Sequence, residues 1–471
     1  MTERESASVF TSSRHITTLM NPLELRASLG LAGVYALRML GMFLILPVFA
    51  LYAQTLPGAH SHTAIGIALG AYGLTQAFLQ LPLGMLSDRI GRKKVIYGGL
   101  LVFAAGSFIA AWAPNITWLT IGRVVQGAGA ISAAVTALLA DLTREENRTK
   151  AMAMIGMSIG TTFAASLVLG PLMAHYMGVD GIFTLTGVLT LAALVGVKYL
   201  IPDPAVSRFH SDAETNTQRL PAVLKHPQLL RLNFGIFALH AAQMSMFVVL
   251  PFTLIKHGLD KAHHWQVYLP VVIVGFLLMV PAIIYGEKKG KLKTVFVGAV
   301  TLMTAAQLGM ALALDSFWMI VLWLTLYFIA FNILEASLPS LISKIAPADS
   351  KGTAMGVYNT AQSFGLFIGA AAGGWLYSHY GTGGAFGFAA ALMLAWLALA
   401  ITMQPPQAVK SVMFHIGENW QGNAVQLSQR LAAQRGVKEA VVVVDERVAY
   451  LKVSQQDWDE AAVQQLILET N

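Results

Sequence analysis

The sequence predicts an all-α membrane protein of twelve transmembrane helices in two six-helix bundles, followed by a small α+β domain. Three observations carry that prediction. With 56% hydrophobic and only 12% charged residues and a mean hydropathy of +0.61, the 471-residue chain is too apolar for an ordinary soluble globular protein. Between residues 27 and 403, apolar runs alternate with charge clusters, and the runs suit helices that need about 20 residues each to cross a bilayer. After Pro405-Pro406 the composition turns acidic: residues 411 to 471 carry eight acids against five bases, in a chain of net charge +7.

Segmenting at charge clusters and Gly/Pro turns places the spans near 27–52, 64–86, 94–112, 117–141, 150–176, 182–201, 229–256, 265–286, 294–313, 317–344, 352–378 and 384–403. Residues 1–26 form a polar tail without the apolar core and cleavage site of a secretory signal. The polar stretch 202–228 divides the bundles 27–201 and 229–403, and a short linker, 404–410, leads to the terminal domain 411–471. One side of the membrane collects Arg89, Arg92, Lys93, Lys94, Arg144, Arg148, Lys288, Lys289, Lys291, Lys293 and Lys351, whereas the other shows essentially Lys256 and Lys261. This bias puts both termini and the long linker in the cytoplasm. Cysteine is absent, which excludes disulfides, thiolate metal sites and cysteine nucleophiles.

Within the terminal domain, Ser411 to Ile416 reads as a strand, Asn423 to Gln434 as a helix, Glu439 to Val444 as a buried strand, Arg447 to Val453 as an alternating strand and Trp458 to Leu468 as a helix. Asp445-Glu446 makes the hairpin turn. The order βαββα matches a ferredoxin-like split βαβ without its last strand. The turn from Gly417 to Gly422 carries Trp420, either a contact surface for a ligand or protein partner or a packing residue.

The run Gly84-Met85-Leu86-Ser87-Asp88-Arg89-Ile90-Gly91-Arg92-Lys93 is a dense charged turn between spans two and three. A weaker copy, Gly286-Glu287-Lys288-Lys289-Gly290-Lys291, stands between spans eight and nine. Repeated bundles with a polar centre are the sequence sign of a secondary transporter, with its substrate site near the midplane. The first run closely resembles the signature loop of the major facilitator superfamily, and Arg123-Val124-Val125-Gln126-Gly127-Ala128-Gly129 resembles the second motif of its proton-coupled drug-efflux branch. The resemblance covers residues 27 to 403. It implies a bacterial inner-membrane transporter working by alternating access, exchanging protons for small apolar or amphipathic solutes, with the lipid bilayer, the proton and the solute as partners. No enzyme motif, cofactor signature or nucleic-acid signal accompanies it. One departure bears on direction: Gly170-Pro171 is followed by Leu172-Met173-Ala174-His175, where antiporters of the family show Gly-Pro-x-x-Gly-Gly. A metabolite uptake symporter, or a membrane sensor that uses the terminal domain, therefore stays as an alternative.

Candidate site residues fall into three groups. Gly84, Asp88, Arg89, Gly91, Arg92, Asp141 and Gly352 compose a cytoplasmic gate. Asp88 is the latch, because a carboxylate suits the helix N-terminus that begins at Ser350-Lys351-Gly352-Thr353, and Arg92 pairs with Asp141; the plain alternative is a set of solvated topology charges. Arg38, Arg123 and Glu335 are ionisable residues at membrane depth, which are functional by default. Glu335 is the proton carrier of choice, since desolvation favours a protonated carboxyl, unless it is permanently paired with a base. Gln126 stands beside Arg123, and His240 reads first as a packing histidine and second as a relay. Gln76, Gln80, Gln243, Tyr327, Asn332, Tyr358, Asn359 and Gln362 are either cavity lining or interhelical glue. His60, His62, His263 and His264 lack neighbouring carboxylates or thiolates, so no metal site is expected.

Overall fold

The computed structural model describes residues 20–204, 214–347, 349–405, 409–416, 420, 422–444, 447–454 and 457–470. Helix α1 (Pro22–Leu44) opens with a capping box: Asn21 Oδ1 accepts from the Glu24 N–H at 2.7 Å, and Glu24 Oε2 accepts from the Asn21 N–H at 2.9 Å. Such a cap contributes about 1 kcal/mol and starts the helix ahead of the expected residue 27. The expected span 27–52 is also not one helix. It breaks at 45–48, where Pro47 supplies no N–H, and resumes as α2 (Phe49–Ala53).

Helix α3 (His62–Ile90) turns at Gly91, whose φ of +105° suits glycine, into α4 (Arg92–Ala111). The fourth expected span is two helices, α5 (Ile116–Ala128) and α6 (Ser132–Leu142). Their break follows a close approach: a Cβ at Gly127 would lie 2.2 Å from the Tyr72 carbonyl oxygen and one at Gly129 would lie 2.5 Å from that of Gly99. Helix α7 (Glu145–Tyr199) covers spans five and six, kinked at Gly178. The linker contributes α8 (Leu220–Lys225), then α9 (Pro227–Lys256), α10 (Trp265–Lys288), α11 (Leu292–Leu312), α12 (Phe317–Ile345) and α13 (Lys351–Ile401), the last kinked at Gly381. Among the described residues, ten long apolar segments thus make twelve crossings, because α7 and α13 each cross twice.

The two halves meet where α3 lies along α13. A Cβ at Gly66 would fall 2.1 Å from the Ala370 carbonyl oxygen, and His62 sits edge-on to Phe252 and Tyr377 with centroids 5.0 and 4.5 Å away. This contact seals the end remote from the basic loops. Gly66→Leu should therefore cost about 1–3 kcal/mol through overpacking and part the seal. Thermal melting and thiol labelling of an Ala371→Cys reporter in this cysteine-free chain check it, with Gly98→Leu, where a Cβ meets nothing within 4 Å, as control. An unchanged labelling rate would show that the seal does not depend on this contact.

The terminal domain follows the expected βαββα order: β1 (Val409–His415), α14 (Ala424–Ala432), β2 (Val437–Val443), β3 (Val448–Ser454) and α15 (Glu460–Thr470). Its antiparallel sheet runs β1-β3-β2, with Val412 opposite Leu451. Strand β3 was expected to alternate, yet every residue from Val448 to Val453 is buried. One face packs under the two helices, and the other places Val448 and Tyr450 beside Met413 and Val443. Trp420 packs against the domain core, which favours the packing alternative. Residues 417–419 and 421 of its turn, and the expected hairpin turn Asp445-Glu446, lie outside the described residues.

Candidate functional site: a charged cavity between the two halves

A cavity of about 2130 Å³ separates the two six-crossing halves. It runs from Arg123, His240 and Glu335 at mid-depth to Asp88, Asp141 and Lys344 at the basic end. There Val412, Met413 and Tyr450 of the terminal domain border its mouth, and β1 packs against α12. The outer sheet face is thus covered by the membrane part, which explains the loss of alternation in β3.

At the basic end everything converges on Arg92, whose side chain is 3% exposed. Its guanidinium pairs with Asp88 one turn earlier, lies 3.4 Å from Asp141 Oδ2 and 2.6 Å from Glu214 Oε1, and donates to Ser87 Oγ at 3.1 Å. The expected Arg92–Asp141 pair is present, and Gly84 and Gly352 line the cavity nearby, whereas Arg89 is exposed. The start of α13 is met by the linker: the Asn216 N–H donates to Thr353 Oγ1 at 2.9 Å, and Arg219 Nη2 lies 2.6 Å from Asp349 Oδ2. In this arrangement Glu214 and Asn216 stand between the Arg92 cluster and α13, and Asp88 turns to Arg92 instead. Sequence reasoning missed Glu214, one of three acids in a polar linker that carries no motif. It also missed Glu24, 2% exposed, which accepts from the Arg144 N–H and Nε at 2.8 and 2.9 Å and from Asn147 Nδ2 at 3.0 Å. The capping-box pattern Asn21-Pro22-Leu23-Glu24 was its available signal.

At mid-depth the second half supplies His240 on α9, Glu335 on α12 and Gln362 on α13. His240 Nδ1 lies 3.2 Å from the Ile236 carbonyl oxygen, so Nδ1 carries the hydrogen and Nε2 accepts from Gln362 Nε2 at 2.8 Å. Glu335 Oε2 stands 3.8 Å from the same His240 Nε2 and has no hydrogen-bond partner among the described residues. The Glu335 side chain remains 38% exposed to the cavity. His240 is therefore both a packed residue and the neighbour of the mid-depth carboxyl of Glu335. Glu335 has no guanidinium or ammonium partner among the described residues, so the permanent-pair alternative lacks its base.

The first half supplies cations. Arg123 Nη1 donates to Gln126 Oε1 at 2.7 Å, and Gln126 Nε2 donates to Ser107 Oγ at 2.8 Å. Arg38 donates from Nη2 to the Tyr72 hydroxyl at 2.9 Å. Arg123 borders the cavity, whereas Arg38 and Gln126 stand behind its wall. Gln76, Gln80 and Gln243 line it from α3 and α9; Asn332, Tyr358, Asn359 and Gln362 do so from α12 and α13. Gln76 Nε2 also donates to Gln80 Oε1 at 3.2 Å. Tyr327 departs from expectation: it is fully buried behind the wall, stacked on Phe331 one turn away at 5.7 Å. His62, as described, serves the remote seal, and no cluster of potential metal ligands occurs among the described residues.

Comparison with known proteins agrees with this geometry. The family model described as Major Facilitator Superfamily matches residues 31–369 and 272–414, and that described as the YajR YAM domain matches 419–468. The chain is 46% identical over 448 residues to the inner membrane transport protein YajR of Escherichia coli strain K12, covering 95% of this chain and 98% of that one. It is 26% identical over 355 residues to the quinolone resistance protein NorA of Staphylococcus aureus, covering 72% and 86%. Among solved structures, an inward-facing, occupied bacterial homologue of the human lysosomal transporter Spinster superposes with a TM-score of 0.63 at 14% identity, covering 81% and 98%. The chain, with its twelve crossings, its signature loop and its terminal module, belongs to the major facilitator superfamily of membrane transporters, among the YajR-like members.

Proposed function

We propose that the protein is a proton-coupled secondary transporter that exports small apolar or amphipathic solutes by alternating access, with its basic end and both termini in the cytoplasm. The observation that carries this reading is Glu335: a carboxyl at mid-depth in the cavity between the halves, without a hydrogen bond on Oε2 among the described residues and 3.8 Å from His240 Nε2. A carboxyl so placed can take up a proton from whichever side the cavity faces. The Arg92 cluster supplies the cytoplasmic gate. Each cycle exchanges the linker contacts seen here for an Asp88 contact with the start of α13, whose amide groups suit a carboxylate. The drug-resistance name of the NorA relative supports the export direction.

A sensor reading has its own support in the terminal domain, which borders the cavity mouth. Proteoliposomes carrying the whole chain, or a chain ending at Met403, separate the readings. With an imposed proton gradient and a panel of solutes, the whole chain should move solute against the proton gradient, and the shortened chain should retain transport at an altered rate. Flux in the same direction as the proton would turn the reading to symport. Flux indifferent to the gradient for every solute would refute proton coupling.

A further inference from the structure

We propose that the ligand of this cavity is an anion, held on its first-half wall by Arg123 with Arg38 behind it. The two side chains are 2% and 1% exposed, and neither has a carboxylate partner among the described residues. Every group that meets them is neutral. Arg38 Nη2 donates to the Tyr72 hydroxyl and to the Gly129 carbonyl oxygen at 3.3 Å, and its guanidinium lies 5.1 Å over Phe103. Arg123 donates to Gln126 and, from Nη2, to the Leu69 carbonyl oxygen at 3.2 Å, and it stands 5.1 Å over the Tyr72 ring and 5.9 Å over Phe49. Tyr72 thus joins the two cations, one at its hydroxyl and one on its face.

Three buried guanidinium nitrogens have no acceptor among the described residues: Arg38 Nε and Nη1, and Arg123 Nε. A structural arginine at this depth needs a counter-charge or a filled set of acceptors, because a desolvated cation is costly without them. Aromatic faces offset part of that cost and cancel none of the charge. The missing negative charge is the ligand's own: a carboxylate, sulfonate or phosphate, the groups a guanidinium fork matches best. Phe43, Leu46 and Leu69 line the cavity beside Arg123, so an apolar body behind the anionic head fits the same wall. The inference rests on the transport reading only in making this ligand the cargo; the binding site stands without it.

Fluorescence binding to the purified full chain in detergent tests the proposal, with pyrenebutyrate compared against pyrenebutanol and pyrenebutylamine. The acid should bind roughly tenfold or more tightly than the alcohol, with the amine weakest, and Arg123→Gln or Arg38→Gln should remove that preference. Arg123→Lys and Arg38→Lys, which keep the charge and guard against misfolding of the Gln variants, should preserve the order acid, alcohol, amine. Displacement by chloride or inorganic phosphate would name an inorganic anion as the natural occupant, and its failure an organic head group; both outcomes uphold the anion site. Equal binding of the three pyrenes, or wild-type affinity for the acid in a cooperatively melting Arg123→Gln variant, would overturn it. Acid binding without gradient-driven flux would defeat the transporter reading and leave the anion site standing.

Discussion

Arg92→Gln should lower the stability of the detergent-solubilised protein by about 3–5 kcal/mol, the cost of removing one partner from a buried ion cluster. The magnitude follows from what stays behind. Asp141 and Glu214 present side chains that are 0% and 3% exposed and meet Nε and Nη2 of the same guanidinium. Without it, both carboxylates lose a guanidinium contact at the buried basic end of the cavity. Arg92→Lys keeps the charge and loses the fork, so it should fall between the two. Adding Asp141→Asn and Glu214→Gln to Arg92→Gln should recover part of the loss, since it removes the two acidic charges that Arg92 met, and a full cycle of melting curves reads the coupling. Asp88→Asn makes the informative contrast. Its side chain is 30% exposed and its pair with Arg92 spans a single turn, so about 1 kcal/mol or less is at stake in stability. What it should change is the balance between cavity orientations, read by cross-linking across the basic end. If Asp88→Asn leaves that accessibility unchanged, the latch role falls. If Arg92→Gln melts like the wild type, the cluster is not a stabilising element.

The sequence made the crossings legible because hydropathy and charge clusters are strong, local signals, and the tail strands legible because Val and Ile runs are bounded by turn residues. It did not reveal the breaks at 45–48 and 129–131. Hydropathy runs smoothly through both, and the causes are a single Pro47 and a backbone approach between helices distant in sequence. The Arg92–Asp141 pair was readable from a motif. Glu214 was not, since only the folded linker brings it 2.6 Å from Arg92 across 122 positions of sequence. Tyr327 failed as a cavity residue because of what covers it: it shares the i, i+4, i+8 stripe of Phe331 and Glu335, but the Phe331 ring, which lines the cavity, stacks on it one turn away. His240 needed its neighbours on α12 and α13 before a relay reading had any geometry to rest on.

Glu335→Gln should uncouple the transporter while leaving it folded. The side chain is partly open to the cavity, and its Oε2 makes no hydrogen bond among the described residues, so an isosteric amide loses little packing and strands no partner. The proton, however, loses its seat. On the proposed reading, protonation at this position changes how well the cavity holds its cargo, and a coupling of about 1–3 kcal/mol corresponds to roughly 5- to 150-fold in affinity. Measured in mildly acidic and then mildly alkaline buffer, wild-type solute affinity should differ by a factor in that range, and the ratio for Glu335→Gln should approach one. Solute exchange without a gradient should persist, because it requires only that the loaded carrier reorient. Glu335→Asp should keep the pH dependence at a lower rate, since the shorter carboxyl still titrates but stands further from His240. His240→Gln supplies the discriminating arm. It retains a hydrogen-bonding group for Gln362 and removes the imidazole, so a relay predicts slower gradient-driven flux with the pH-dependent affinity intact, whereas a packing role predicts no change in either. Gradient-driven flux at the wild-type rate in Glu335→Gln would place the proton on another residue.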